Sequence, residues 1–192
     1  GEHYLPDGPP QLRPVGETRF VEDAARRSLH ASEGAVHAGA AIVGYADLTL
    51  GAAVDEVLEA HLQASPSRFR GIRHGLSTDP DPAYARSGPR PRPGLMSEPT
   101  FREGFSRLSR HGLSFDAWLY HPQIPELVGL ARAFPDTPIV LDHVGGPLGL
   151  GGYAGRRDEV FAQWRESIHT LASCPNVVVK LGGLGMRLTG LG

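Results

Sequence analysis

Five short apolar runs alternate with stretches of helical periodicity along this 192-residue chain, and that alternation restricts the fold more than any single motif does. The runs are AIVGYADL (41–48), FRGIRH (69–74), LSFDAWLY (113–120), PIVLDHV (138–144) and NVVVKL (176–181). Between them, Val54, Val57, Leu58 and Leu62 fall at helical spacing over 53–63, and Phe101, Phe105 and Leu108 do so over 97–110. Ser97 is the expected cap of that second helix, and Gly112 stands where its C-terminal cap belongs. Pro125 suits the first turn of a helix ending near 134, and a further helix is expected over 158–172, ended by Cys174-Pro175. A helix over 19–29, capped by Thr18, precedes the first strand, and residues 1–16 read as an extended N-terminal loop. Strands alternating with helices make parallel β-α-β units. Residues 139–141 and 177–179 are apolar at successive positions, as in strands buried on both faces. Part of a closed barrel and an open doubly wound sheet both satisfy this order, and periodicity alone does not choose between them.

The remaining composition removes several function classes. A formal net charge of −2 and short, interrupted arginine clusters give no footprint for nucleic acid. Asp47 interrupts the longest apolar candidate at 38–54, so no run reaches membrane-spanning length. Prolines 6, 9, 10 and 14 do not match a signal peptide, and the single cysteine, Cys174, excludes an intrachain disulfide and fits the cytoplasm. The chain starts at Gly1 without methionine and ends in a glycine-rich stretch. It therefore reads as one incomplete domain over 1–192, shorter than the roughly 250 residues of a full (β/α)₈ barrel. Residues 78–93, rich in proline, aspartate and serine, read as a long loop of the kind that carries function.

In either architecture ligands bind at the carboxyl ends of parallel strands. Those ends carry Tyr45 and Asp47; Arg73 and His74; Trp118, Tyr120 and His121; Asp142 and His143; and Lys180, with Gln123 close by in sequence. Regular alternation sends His74 to the face opposite Arg73. It also implies that if His143 points inward, Leu141 and Ile139 do too, and Asp142 faces the helices as a packing partner. A lysine at 180 facing a barrel interior requires an anion, from a substrate carboxylate or an acidic neighbour. Asp116, Trp118 and Tyr120 share a face. GLGGYA (149–154) matches a dinucleotide-binding pattern but neither follows its strand at once nor opens a helix. His3, His30, His37, His61, His111 and His169 form no ligand pair and read as surface residues, and Cys174 reads as an inert buried thiol.

PIVLDHVGGP (138–147), NVVVKLGGLG (176–185), RFRGIRH (68–74), AIVGYADLTL (41–50) and FDAWLYHPQIPELVGLARAFPDTPIV (115–140) together resemble TIM-barrel hydrolases of the amidohydrolase superfamily, amidohydrolase 2 type. The resemblance is to the branch of 2-pyrone-4,6-dicarboxylate lactonase and sugar-lactone hydrolases, and it spans about 41–186. It implies a partial (β/α)₈ barrel of about five parallel βα units whose first and last strands are missing. It further implies a hydrolase acting on a lactone or related cyclic ester, a small molecule that is carboxylated or sugar-derived. In the family an H-x-H pair, a later-strand His and a last-strand Asp hold divalent metal such as zinc or manganese, although lactonases of this branch do not always require it. His143 matches the later-strand His, as catalytic residue and metal ligand. Arg73, His74, Trp118, Tyr120, His121, Gln123 and Lys180 fall where substrate-binding groups would lie. The departures are plain: the sequence has no H-x-H, and no strand follows Gly185 to supply the aspartate. The isolated chain is therefore expected to be inactive, and two unpaired strand edges predict poor solubility. A decarboxylase or hydratase of the same superfamily is the rival enzyme reading. A non-catalytic, flavodoxin-like binding module with its ligand at the glycine-rich loop is the other. No G-x-S-x-G occurs, which speaks against a serine nucleophile. Homo-oligomerisation is left open.

Overall fold

The computed structural model, which describes residues 2–29, 36–84 and 91–190, folds the five apolar runs into one parallel sheet. The strands are β1 (Ile42–Tyr45), β2 (Phe69–Gly75), β3 (Ser114–Trp118), β4 (Ile139–Leu141) and β5 (Val177–Val179), and their spatial order is the chain order. Helix α1 (Val15–Leu29) precedes β1, and α2 (Val54–Ala64), α3 (Pro99–Arg110), α4 (Ile124–Ala133) and α5 (Arg157–Leu171) fill the four crossovers. Right-handed crossovers that always step the same way deposit every helix on the same side of the sheet. A doubly wound sheet would reverse direction at a switch point and be covered on both faces. This sheet does neither, and it is the wall of a barrel seen from outside. No described helix is long and apolar enough to cross a membrane.

The core lies between the sheet's outer face and that helix layer. Ile72, Phe115, Ala117, Ile139 and Leu141 from the strands form one cluster with Leu58, Phe101, Phe105, Leu108, Leu127 and Leu130 from the helices. Phe105 is its hub, with ring centroids 5.1 Å from Phe115 and 5.0 Å from Phe134. Helix α3 approaches the turn at Leu48–Ala53 through Gly104, where a Cβ atom would fall 2.1 Å from the Leu48 carbonyl oxygen. The inner face is different: Val43 and Val178 are 41% and 60% exposed. The far edge of β5 is likewise unpaired among the described residues, and Leu181 beyond it is 89% exposed.

Several sequence expectations are corrected. Helix α1 begins at Val15, because Pro10 and Pro14 sit in turns that lead straight into the helix rather than in an extended loop. Thr18 is then interior to the helix and caps nothing. Its hydroxyl pairs with His61 Nδ1 at 2.8 Å, and His61 is fully buried rather than on the surface, its Nε2 lying 3.0 Å from the Tyr45 carbonyl oxygen. His30 lies outside the described residues, as do residues 85–90 of the long loop, in which Pro82–Tyr84 forms a 3-10 turn. Ser97 belongs to a 3-10 turn, and α3 starts at Pro99, whose fixed φ presets the first helical position. Strand β4 stops at Leu141, three residues early, because His143 and Val144 leave the extended conformation.

Helix α1 is held at the β1 side of the sheet by a buried carboxylate. Glu22 accepts hydrogen bonds from Ser65 (2.6 Å), Arg26 (2.8 Å) and Arg68 (2.8 Å), joining α1 to the end of α2 and the start of β2. The Ser65 and Arg26 bonds, then Arg68, outweigh desolvation and hold its pKa at about 2. A carboxylate whose folded pKa is depressed stabilises the protein above its unfolded pKa, about 4.3, and loses that contribution as pH falls toward the folded value. Thermal melts from pH 7 to pH 2 should therefore steepen below about pH 4.3 for the native chain. Glu22→Gln should lower stability at pH 7 and flatten that limb, and an unchanged acid limb in the variant would show that Glu22 does not drive it. The open β5 edge gives a second expectation: Val178→Lys should raise the soluble monomer fraction in size-exclusion chromatography without changing the circular dichroism spectrum.

Candidate active site

At the carboxyl ends of β2 to β5, the inner face carries four charged side chains in a closed network. Arg73 stands opposite Asp116 in the register, and Asp116 stands opposite Val140, so all three share the inner face. Asp142 and Lys180 lie two residues beyond Val140 and Val178 on the same face. Arg73 reaches Asp142 at 2.9 Å and Asp116 at 3.4 Å; Lys180 reaches Asp142 at 3.0 Å and hydrogen-bonds Asp116. Both carboxylates are essentially dry, with side chains 2% and 0% exposed, whereas both cations are 47% exposed. The Asp142 oxygens sit at ion-pair distance from the cations but out of hydrogen-bond alignment, so their hold is Coulombic rather than directional. Partial burial pulls the Lys180 pKa down, but the hydrogen bond to Asp116 and the charges of Asp116 and Asp142 outweigh it, so the ammonium is favoured. The acidic neighbours that an inward lysine requires are thus Asp116 and Asp142.

His143 reaches the same mouth by a break in the strand. After Leu141 the chain keeps alternation for one more residue, which turns Asp142 inward. His143 and Val144 then both adopt left-handed conformations, at φ 51, ψ 47 and φ 51, ψ 26. Such values are uncommon for any non-glycine residue and are outliers for a β-branched one. The expected alternation is therefore inverted: Ile139 and Leu141 pack among the helices, Asp142 faces inward, and His143 arrives there only because the kink cancels the period. Its imidazole meets Trp118 edge-to-face, with centroids 4.9 Å apart and planes at 88°. It shares a cleft of about 850 Å³ with Tyr45, Arg73, Gly75, Trp118 and Met186. His143 Nδ1 is buried with no protein hydrogen-bond partner.

Other expected site residues lie elsewhere. The His74 side chain turns to the helix side, as alternation requires, where it packs on Phe101 and accepts the Leu48 N–H at Nδ1 (3.2 Å). His121 is buried beneath the glycine-rich loop, accepting the Leu148 N–H at Nδ1 (3.3 Å). Desolvation lowers both pKa values, consistent with neutral rings used as acceptors. The Gln123 amide is consumed by backbone: it donates to Leu76 and accepts from Thr78 and Tyr120. Tyr120 packs with Tyr84 and Leu148 behind Trp118. These four brace the mouth rather than line it. Two loops above it are cross-tied. The Tyr84 hydroxyl donates to the Leu150 carbonyl and accepts the Leu150 N–H, both at 2.7 Å. Asp81 accepts the Gly152 N–H at 2.6 Å, and Tyr153 donates to Asp79 at 3.0 Å. The site role that sequence reasoning missed is the inward pair Asp116 and Asp142; two acids beside an inward lysine and arginine on adjacent strands were the available signal.

Among the described residues no group of three His, Cys, Asp or Glu side chains could hold a metal ion. Asp116 and Asp142 are already committed to Arg73 and Lys180, so His143 is a lone donor.

A family model described as amidohydrolase matches residues 5–190. An uncharacterized protein of Sinorhizobium fredii is 36% identical over 183 residues, which cover 95% of this chain and 54% of that protein. An L-fucono-1,5-lactonase of Burkholderia ambifaria is 30% identical over 168 residues, covering 88% of this chain and 48% of the relative. The crystal structure of an amidohydrolase from Burkholderia multivorans, 26% identical, superposes with a TM-score of 0.66 in a form with bound HEPES, covering 91% of this chain and 53% of that one. Its form with bound zinc gives 0.64, covering 91% and 52%. The chain spans about half the length of the curated relatives it matches.

Removing one member of the charge network should be costly because the remaining charges are left facing one another. Asp142→Ala should destabilise the chain by about 2 kcal/mol, less than the 3–5 kcal/mol of a fully buried pair, because Arg73 and Lys180 can turn to water. In a urea-denaturation double-mutant cycle, Asp142→Ala and Lys180→Met should be strongly non-additive, and additive losses would show that the two residues do not act as a unit.

Proposed function

The chain belongs to the amidohydrolase family, and from that premise we propose that it carries the substrate-gripping part of a lactone hydrolase. The observation that supports this most is a single imidazole, His143, kinked into a strand-end cleft beside the Arg73 guanidinium. The relatedness to L-fucono-1,5-lactonases favours a sugar 1,5-lactone as the substrate class. Charge balance favours it too. Arg73 and Lys180 are matched by Asp116 and Asp142, two against two, which leaves no spare positive charge for a substrate carboxylate. A neutral sugar-derived lactone fits this mouth better than a carboxylated one, and Trp118 offers an aromatic surface to a sugar ring.

In the proposed reaction an N–H of Arg73 donates to the lactone carbonyl oxygen. His143 takes a proton from water as the water oxygen adds to the carbonyl carbon, and Arg73 holds the oxyanion that results. Collapse breaks the bond to the ring oxygen, which receives the proton back from His143 and leaves as an alcohol. The product is a hydroxy acid. Lys180 keeps Asp116 and Asp142 compensated so that Arg73 can lend part of its charge to the oxyanion.

Zinc in the Burkholderia multivorans amidohydrolase raises the question of metal use. The described residues do not fit a metal centre, since they offer His143 alone, and no step above runs through one. A zinc or manganese ion held here would take His143 as one ligand and draw the others from outside the described residues. The chain is read as one incomplete barrel domain. Its cysteine, Cys174, free and buried, suits the reducing cytoplasm.

The test uses the purified 192-residue chain. Titrated with L-fucono-1,5-lactone, it should shift the His143 and Trp118 NMR signals at millimolar ligand, and 4-hydroxybenzoate should not shift them. Preference for the aromatic acid would overturn the lactone reading in favour of a decarboxylase or hydratase. Because the chain spans only about half the length of its relatives, the groups that would enclose the mouth around Arg73 and His143 are expected to be incomplete, and acid release in a pH-stat should stay within about tenfold of the spontaneous rate, below the 10²–10⁴-fold that a base positioned in an enclosed site can add. Faster turnover that His143→Asn abolishes would refute the expected inactivity while strengthening the lactonase assignment.

A further inference from the structure

His143 and Val144 are the only non-glycine residues with positive φ among the described residues. Backbone this far from its preferred region persists only where surrounding groups over-determine it. Three bonds fix the kink. The Val144 N–H donates to the Lys180 carbonyl at 3.1 Å, and the Gly146 N–H donates to the His143 carbonyl at 3.0 Å. The third comes from a side chain on another element: the Trp164 indole N–H, on α5, donates to the Val144 carbonyl at 2.7 Å.

We infer that Trp164 is a positioning residue for His143, holding the Val144 carbonyl so that the kink keeps the imidazole in the cleft beside Trp118. This rests on the reading of His143 as the water-activating group. Trp164 itself does not line that cleft. It lines a separate apolar groove on the helix side, together with Val144 and Phe161, so any effect on the imidazole must pass through the Val144 peptide. The direction of failure follows from geometry. Without the indole donor the buried Val144 carbonyl loses its partner, and the segment gains by relaxing toward extended backbone. In an extended continuation of β4, His143 would fall on the same side as Leu141, among the helices, and leave the mouth. At Gly183, φ 76, a Cβ atom would fall 2.5 Å from His143 Cβ, so the loop after β5 lies directly against the histidine. His143 thus lies against Gly183, flanked by Trp118 and held through Val144 by Trp164.

The experiment is NMR on the full chain, following the ring protons of His143, which the Trp118 ring current displaces from free-histidine positions. Trp164→Phe keeps an aromatic ring and removes only the donor. It should move the His143 signals at least halfway toward free-histidine values while those of buried His61 and His74 stay in place. Phe161→Leu, which alters the neighbouring ring of the same groove, should leave His143 unmoved. Unmoved His143 signals in Trp164→Phe, or an equal shift in Phe161→Leu, would overturn the proposal. Should Trp164→Phe fail to fold, the unmodified chain decides. The Trp164 indole N–H should exchange with solvent about 100-fold more slowly than that of Trp118, the only other tryptophan, and equal rates would overturn the bond. None of these readouts requires turnover, so a failure here and a failure of the lactonase reading remain separable.

Discussion

Two carboxylates buried on the inside of a parallel sheet set the terms for everything around them. Asp116 and Asp142 are almost wholly removed from water, and charges so placed demand partners. The partners come from the flanking strands, Arg73 from β2 and Lys180 from beyond β5, so four consecutive strands must be in register before any of the charges is satisfied. A slip of one residue in β3 would send Asp116 into the phenylalanine-rich layer and Phe115 into the mouth. Strand register and site electrostatics are therefore a single constraint, met or missed together.

The same constraint accounts for the strained turn after β4. Asp142 must continue the strand by one residue to reach the cations, and regular alternation would then carry His143 away from the mouth. Two left-handed residues resolve the conflict and place acid and imidazole side by side. A glycine would relieve the backbone strain at 143 but would supply no imidazole. At 144 the conformation is enforced from outside, by the Lys180 carbonyl and the Trp164 indole.

The alternation of strands and helices was readable from periodicity because most elements bury at least one side; β5 is the exception, since Val178 and Val179 are 60% and 40% exposed instead of buried on both faces. Gly112, Pro125 and the apolar triplets at 139–141 and 177–179 fixed most element positions. The rule that sites gather at strand ends singled out Arg73, Lys180 and His143, and the structure sets all three at the inner mouth of the sheet. What failed was inference about direction. Alternation assigned Asp142 to the helices, because the sequence carries no mark of a kink at His143: neither residue of the kink is a glycine. His61 read as a surface residue because nothing near it in sequence announces Thr18, a partner 43 positions away. Gln123 spends both amide atoms on backbone, and His74 and His121 each spend Nδ1 on it; a chain read in one dimension does not distinguish a polar group turned to a ligand from one turned to a loop.

The Tyr84 hydroxyl serves both backbone groups of Leu150, with Asp79 and Asp81 tied to the residues that follow. The two loops consequently form one mechanical piece, although 66 positions separate tyrosine from leucine. Descendants of this chain could not lengthen or shorten either loop alone without stranding the other's peptide groups. Insertions and deletions there should be inherited as matched pairs, and transplanting the rim onto another barrel would require moving both segments at once.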